Sequence, residues 1–168
     1  LIYDHGKIKV NTWWDINPLQ TNKQSYAENV SQLKDLLFNS IQLHMRSDVE
    51  VGCCLSGGLD SSTIASVVGT LYPDKKIKAF NVFYEGEGAV DERKWVKEVI
   101  NKYPSVEPYY FSPSDDDIAN AFDKAIYFAD VPLAGSSPIS QYFVMQLASQ
   151  HGVKVLLDGQ GSDESLGG

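Results

Sequence analysis

The chain has 168 residues, 43% of them hydrophobic and 21% charged, which is ordinary usage for one globular domain large enough to bury a core. Its formal net charge of −8 argues against a nucleic-acid surface, where phosphates demand clustered Lys and Arg. No apolar run approaches the length needed to cross a membrane and no signal peptide opens the chain, so the reading is a soluble, cytoplasmic protein with neither nucleic acid nor membrane as partner. Cys53 and Cys54 are the only cysteines, and as strand neighbours they point to opposite faces, like small core residues instead of a disulfide. His5, His44 and His151 are scattered, which makes no zinc site.

Leu1 to Trp14 reads as a hairpin: a strand, a turn at Asp4-His5-Gly6, then KIKVNTWW with Ile8 and Val10 on one face. Asp15 to Lys23 is polar, carries Pro18 and reads as a linker. Ser25 with Glu28 forms a capping-box signature. Tyr26, Val30, Leu33, Leu37, Ile41 and Met45 then keep helical spacing, a stripe to lie on a sheet. Val51 to Leu55 is a short buried strand, and Ser56-Gly57-Gly58 is a turn that glycine makes cheaply. Asp60, Ser61 and Ser62 suit the cap of a helix whose apolar spacing runs from Thr63 to Leu71. Strand, glycine turn and capped helix aim backbone N–H groups and a helix dipole at one point, a place for phosphate. Neither G-x-x-x-x-G-K-[ST] nor G-x-G-x-x-G occurs, which excludes the common kinase and GTPase loop and removes the main dinucleotide signature.

Ile77 to Tyr84 is a second strand, Glu85 to Gly88 a loop, and Asp91 to Tyr103 a helix. Glu107 to Phe111 is a third strand, and a further helix runs from the acidic triplet Asp115-Asp116-Asp117 to about Phe128. Acids there complement the helix dipole, a simpler reading than a metal cluster. Asp130 to Pro138 is a loop fit for substrate, and Pro138 opens a helix that runs to Gln150. Val153 to Leu157 is a fourth strand, delivering Asp158-Gly159-Gln160-Gly161-Ser162-Asp163-Glu164. Strands alternating with helices predict an α/β fold, a doubly wound parallel sheet with helices on both faces, preceded by the short hairpin. Ligands of such sheets sit beyond the C-terminal strand ends, where strand order switches.

The string Ser56-Gly57-Gly58-Leu59-Asp60-Ser61 resembles the SGGxDS loop of the N-type ATP pyrophosphatases, which grip pyrophosphate there. The tail HGVKVLLDGQGSDESLGG is similar to HGVKVVLSGEGADELFGG of the glutamine-dependent asparagine synthetases. Arg46 to Gly52 resembles their R-S-D-V-P-V-G, and Trp14-Asp15 the Y-W-D that closes their glutaminase domain. The resemblance implies an adenine nucleotide alpha hydrolase-like fold, with residues 1–17 as hairpin and linker from a preceding glutaminase domain. Residues 18–168 would be the N-terminal part of the synthetase domain. It implies an amide ligase that adenylates the aspartate side-chain carboxylate, releases pyrophosphate and transfers ammonia to give asparagine.

By match to that family, Ser56, Gly57, Gly58 and Ser61 hold pyrophosphate, and Asp60 and Asp163 share Mg²⁺. Leu55 and Val82 match the adenine pocket, and Asp158 with Gly159 a further ATP contact. Gln160 matches a residue that handles the acyl-adenylate, and stands where several relatives have Glu; Asp158 stands in place of the more familiar Ser. The implied substrates are ATP, aspartate and ammonia, free or drawn from glutamine by the parent's glutaminase domain; a homodimer is compatible with this. Leu1 is not the N-terminal cysteine of glutaminase chemistry, and the chain stops before the family's catalytic lysine. The expectation is therefore a piece cut at both ends, inactive alone. Two further readings stay open: a relative adenylating another carboxylate, as the β-lactam synthetases do, and a scaffold module without chemistry.

Overall fold

The computed structural model describes residues 1–15, 17, 21–85, 92–132 and 135–166. Two compact units divide the chain, residues 1–35 and 36–168.

In the first unit, β1 (Ile2–Asp4) pairs antiparallel with β2 (Lys7–Lys9), Tyr3 opposite Ile8. The turn between them needs positive φ at His5 (45°) and Gly6 (78°), the backbone of a two-residue hairpin. The second strand is shorter than the sequence predicts: Val10 to Trp14 form no strand. Helix α1 (Tyr26–His44) starts in this unit where expected, and its residues from Leu36 onward belong to the second unit. Ser25 and Glu28 close the capping box, the Glu28 backbone N–H donating to Ser25 Oγ and the Ser25 N–H to Glu28 Oε2 at 2.8 Å. Only the C-terminal part of its stripe is covered: Ile41 and the following Met45 are buried, while Tyr26, Val30 and Leu33 are exposed.

The second unit is built on β3 (Val51–Cys54), β4 (Ile77–Val82), β5 (Val106–Phe111) and β6 (Val155–Leu157). They form a parallel sheet in the order β5-β4-β3-β6. Successive strands step outward from β3 to β5, and the chain then crosses back to place β6 on the other side of β3. That reversal makes the β3–β6 junction the switch point of the sheet. The first half of the sheet's chain is connected by α2 (Leu59–Leu71) and α3 (Arg93–Lys102), the return by α4 (Asp115–Ala129) and α5 (Ser137–Gln150); α6 (Ser162–Leu166) follows β6.

Strand alternation sorts the core onto two faces. Val51, Cys53 and Ile77 pack with Val67 and Val68 of α2 and Ile41 of α1, and Leu55, Ala79 and Val106 pack with Ala65 of α2 and Val96 of α3. Phe80 and Leu156 point the other way, against Leu147 and Ala148 of α5. Val82 and Phe111 meet Ala121 of α4 and Phe143 of α5. The doubly wound sheet is thus flanked by helices on both faces, as the sequence predicts. Every residue of β3 is buried, the central position of the sheet. Full burial of a side chain such as Leu55, 1% exposed, contributes about 2–3 kcal/mol.

Element ends differ from the sequence reading by a residue or two. The fourth strand begins at Val155, with buried Val153 just ahead of it. The third helix begins at Arg93 with Glu92 as N-cap; its expected start at Asp91 and the loop from Gly86 to Gly88 lie outside the described residues. The acidic triplet opens α4 as expected: Ser114 caps the helix, and its hydroxyl and N–H bind the Asp117 side chain in a capping box that holds this carboxyl below its ordinary range. Among the described residues, no helix is long and apolar enough to cross a membrane.

Candidate functional site

The corner after β3 differs from its prediction in one useful respect. Asp60, Ser61 and Ser62 do not cap the helix; α2 starts at Leu59, with Gly58 as N-cap in extended backbone (φ −66°, ψ 165°) and no side chain capping it. A glycine cap leaves the N–H groups of the first turn without an internal acceptor. The hydroxyls instead fasten the turn to itself. Ser61 Oγ accepts from the Ser56 N–H at 3.1 Å and lies 2.9 Å from Ser56 Oγ, which in turn accepts from the Gly58 N–H at 3.1 Å. Ser61 is buried and also donates to the Gly58 carbonyl. Gly57 sits at φ +97°, where a side chain is strained, and a Cβ there would lie 2.6 Å from the Glu92 carbonyl oxygen. The start of α3 is therefore packed directly beneath the glycine turn.

The corner after β6 is made differently. β6 pairs with β3 through Val51↔Val155, Gly52↔Leu156 and Cys53↔Leu157, which brings both corners to the same end of the sheet. Gly159 is pressed against the first turn of α2: a Cβ would sit 2.8 Å from Asp60 Cβ and 3.2 Å from Ser61 N. Glycine at this position is what allows the two corners to touch. Gly161 carries φ +92°, and Ser162 Oγ donates to the Gly159 carbonyl at 2.6 Å, turning the chain into α6. Asp163 and Glu164 stand in its first turn, exposed. Gln160 is exposed and lines a cavity of about 920 Å³ between α4 and α5, with Gln141, Phe128, Tyr142 and Met145 among its walls.

The sequence-predicted residues fall into three groups. Ser56, Gly57, Gly58, Asp60 and Ser61 form one corner, and Asp158 and Gly159 meet it from the other. Gln160 and Asp163 continue the second corner outward. Leu55 and Val82 are not brought together by their side chains: Leu55 packs on the α2–α3 face and half-buried Val82 on the α4–α5 face. Sequence reasoning missed Asn81, buried on β4, whose Nδ2 donates to the Leu55 carbonyl at 2.7 Å and fixes the strand end that feeds the turn. An amide in the apolar run Ala79-Phe80-Asn81-Val82 was the available signal.

Asp60 is half-buried and Asp163 exposed, and neither carboxylate has a cationic partner among the described residues. Among the described residues, no group of three or more His, Cys, Asp or Glu side chains is assembled as a metal cage. A hard carboxylate oxygen such as that of Asp60, beside the glycine cradle, is of the kind a divalent ion such as Mg²⁺ accepts while taking its other ligands from phosphate and water. The thiols of β3 take no part in such chemistry. Burial pushes Cys53 up to about 12, and burial with the nearby Asp158 carboxylate raises Cys54 as well.

Comparison with known proteins bears on this arrangement directly. The family model described as asparagine synthase matches residues 32–168. Asparagine synthetase [glutamine-hydrolyzing] 1 of Bacillus subtilis is 36% identical over 97% of this chain and 25% of its own length. Putative asparagine synthetase [glutamine-hydrolyzing] 2 of Methanocaldococcus jannaschii is 32% identical over 100% of this chain and 32% of its own. A more distant relative, the amidase chyE of Penicillium rubens, is 24% identical over 93% of the chain. The chain thus spans between a quarter and a third of the length of the first two relatives. With the family model covering most of its length, and with both glycine corners inside the match, the chain belongs to the asparagine synthase family.

Proposed function

We propose that the two corners form the ATP site of an asparagine synthetase-type ligase. The observation that carries this reading is the seating of Gly159 on Asp60 at the switch point of the sheet. A triphosphate laid there meets the turn Ser56 to Ser61 from one side and the second corner from the other. The uncapped first turn of α2 suits the β and γ phosphates, whose charge grows as pyrophosphate leaves. Asp60 and Asp163 hold Mg²⁺, which when bound neutralises phosphate charge. Asp158 and Gly159 contact the nucleotide through backbone.

The reaction is a displacement at the α phosphorus. An oxygen of the aspartate β-carboxylate bonds to phosphorus as the bond to the bridging oxygen breaks and pyrophosphate departs. Ammonia then attacks the activated acyl carbon, AMP leaves and a proton is released, giving asparagine. Positioning and electrostatics supply most of the acceleration in such a step. Gln160, exposed after the second corner, would hydrogen-bond the acyl group without adding charge. A glutaminase domain in the full-length protein would supply the ammonia, a reading supported by the bacterial and archaeal relatives, which are longer and are named as glutamine-hydrolyzing.

The test is pyrophosphate release by the full-length parent protein with ATP, Mg²⁺ and a panel of carboxylates. Release with aspartate, and its loss in Asp60→Asn, is the expected result. Release with a different acid moves the chain to another substrate. No release with any acid, and no ATP binding, refutes the reading.

A further inference from the structure

The Asp158 side chain is engaged by α5. Its Oδ2 accepts from Gln141 Nε2 at 2.6 Å, a bond from the first turns of α5 to the end of β6. The Cys54 thiol, on the neighbouring strand, faces the same carboxylate. Asp158 immediately precedes Gly159, the residue seated on Asp60. Ladder pairing ends at Leu157, so nothing in the sheet fixes the chain at Asp158 and Gly159. Within the corner the Gly159 carbonyl accepts from the Ser162 N–H and Oγ, and the Asp158 carboxylate ties the corner outward to α5.

We infer that Gln141 is a positioning residue for the nucleotide site, holding the second glycine corner in register over the first through the Asp158 carboxylate. This deepens the ATP reading and rests on it. Charge-assisted bonds of this kind are short and directional, so loss of the amide donor frees the corner to drift from Asp60. Gln141 also lines the cavity between α4 and α5, which Gln160 reaches from the other side of the same corner.

The experiment is MgATP titration calorimetry on the full-length parent protein, with thermal melting alongside. Gln141→Glu keeps the size of the side chain but replaces the donor with a second carboxylate facing Asp158; Gln141→Leu removes the donor alone. The expected result is an ATP Kd raised about tenfold in Gln141→Leu and further in Gln141→Glu. In an Asp158→Ser background neither change should weaken binding by more than about twofold. Were Gln141 only packing, Gln141→Glu would bind ATP like wild type, or the losses would persist unchanged in Asp158→Ser; either overturns the inference. If the wild-type protein itself binds no ATP, the parent reading falls and this one with it. Wild-type binding with unaltered Gln141 variants removes this inference alone.

Discussion

The corner after β3 and the corner after β6 carry the same kind of sequence, a glycine turn with acids and serines, yet they are held by different means. The first closes on itself: a fully buried strand leads in, Ser56 and Ser61 tie the turn, and a helix of 13 residues leads out. The second leaves a three-residue strand of which only Leu157 is buried, and it enters a helix of five residues. Its position depends on others, on Asp60 beneath Gly159 and on Gln141 beside Asp158. A phosphate grip benefits from a rigid half. The half that must also meet a second substrate is free to be set by its neighbours.

The widest gap between the two should appear in core substitutions along their strands. Leu55→Ala, at the end of β3, is expected to cost about 2–5 kcal/mol in urea unfolding, because the site is enclosed and cannot collapse. Val155→Ala, on β6 and 37% exposed, should cost less than about 1 kcal/mol. Equal losses would mean that the edge strand is as constrained as the central one.

Glycine replacements sharpen the contrast at the turns themselves. Gly57→Ala combines positive φ with a clash against the Glu92 backbone, and about 2–4 kcal/mol of stability should go together with ATP binding. Gly159→Ala has no positive φ to violate, and the clash is with Asp60 of the other corner. Relief comes from separating the corners, so stability should fall by only about 1 kcal/mol while the ATP Kd rises more than about tenfold. Melting and titration of the same two proteins distinguish these outcomes.

Smaller effects come from single groups. Ser61→Ala deletes the acceptor of the Ser56 N–H, and a loss of about 1–2 kcal/mol is expected in the same unfolding assay. The pH response of the buried strand follows from Cys53, whose pKa rises from an ordinary 9.0 to about 12 on folding. Below about pH 9 both states keep the proton and stability is unaffected. Between those values the unfolded chain gives up the proton first, so stability falls with rising pH by about 1.4 kcal/mol per unit. Subtracting the profile of Cys53→Ala from that of wild type should isolate this slope.

Much of the fold was legible because the pattern was local. The apolar run Val51 to Leu55, the capping box at Ser25 and the acidic start of α4 each depend on residues within one turn or strand. The first glycine corner belongs to the same class, apart from its cap: a chain with Ser and Asp available used Gly58 instead, since Ser61 turns inward to Ser56. Contacts made across the chain left no local trace. Glu92 beneath Gly57, Gly159 on Asp60 and Gln141 on Asp158 arise from the strand order β5-β4-β3-β6, which periodicity does not encode. Leu55 and Val82 read alike as apolar strand ends, and only the pleat sends them to opposite faces. The hairpin ran too long on paper because Val10 and Trp13 are apolar without a neighbour to pair with; both are exposed.

The central claim is that one nucleotide is gripped by both corners at once, and a double-mutant cycle on MgATP binding tests it most directly. Asp60→Asn and Asp163→Asn, alone and together, are to be titrated in the full-length parent protein by calorimetry. The account predicts that each raises Kd by about tenfold or more and that the double variant is weakened by clearly less than the product of the two, since both acids serve one ion. Independent, multiplicative losses, or an Asp163→Asn protein that binds MgATP like wild type, would contradict it.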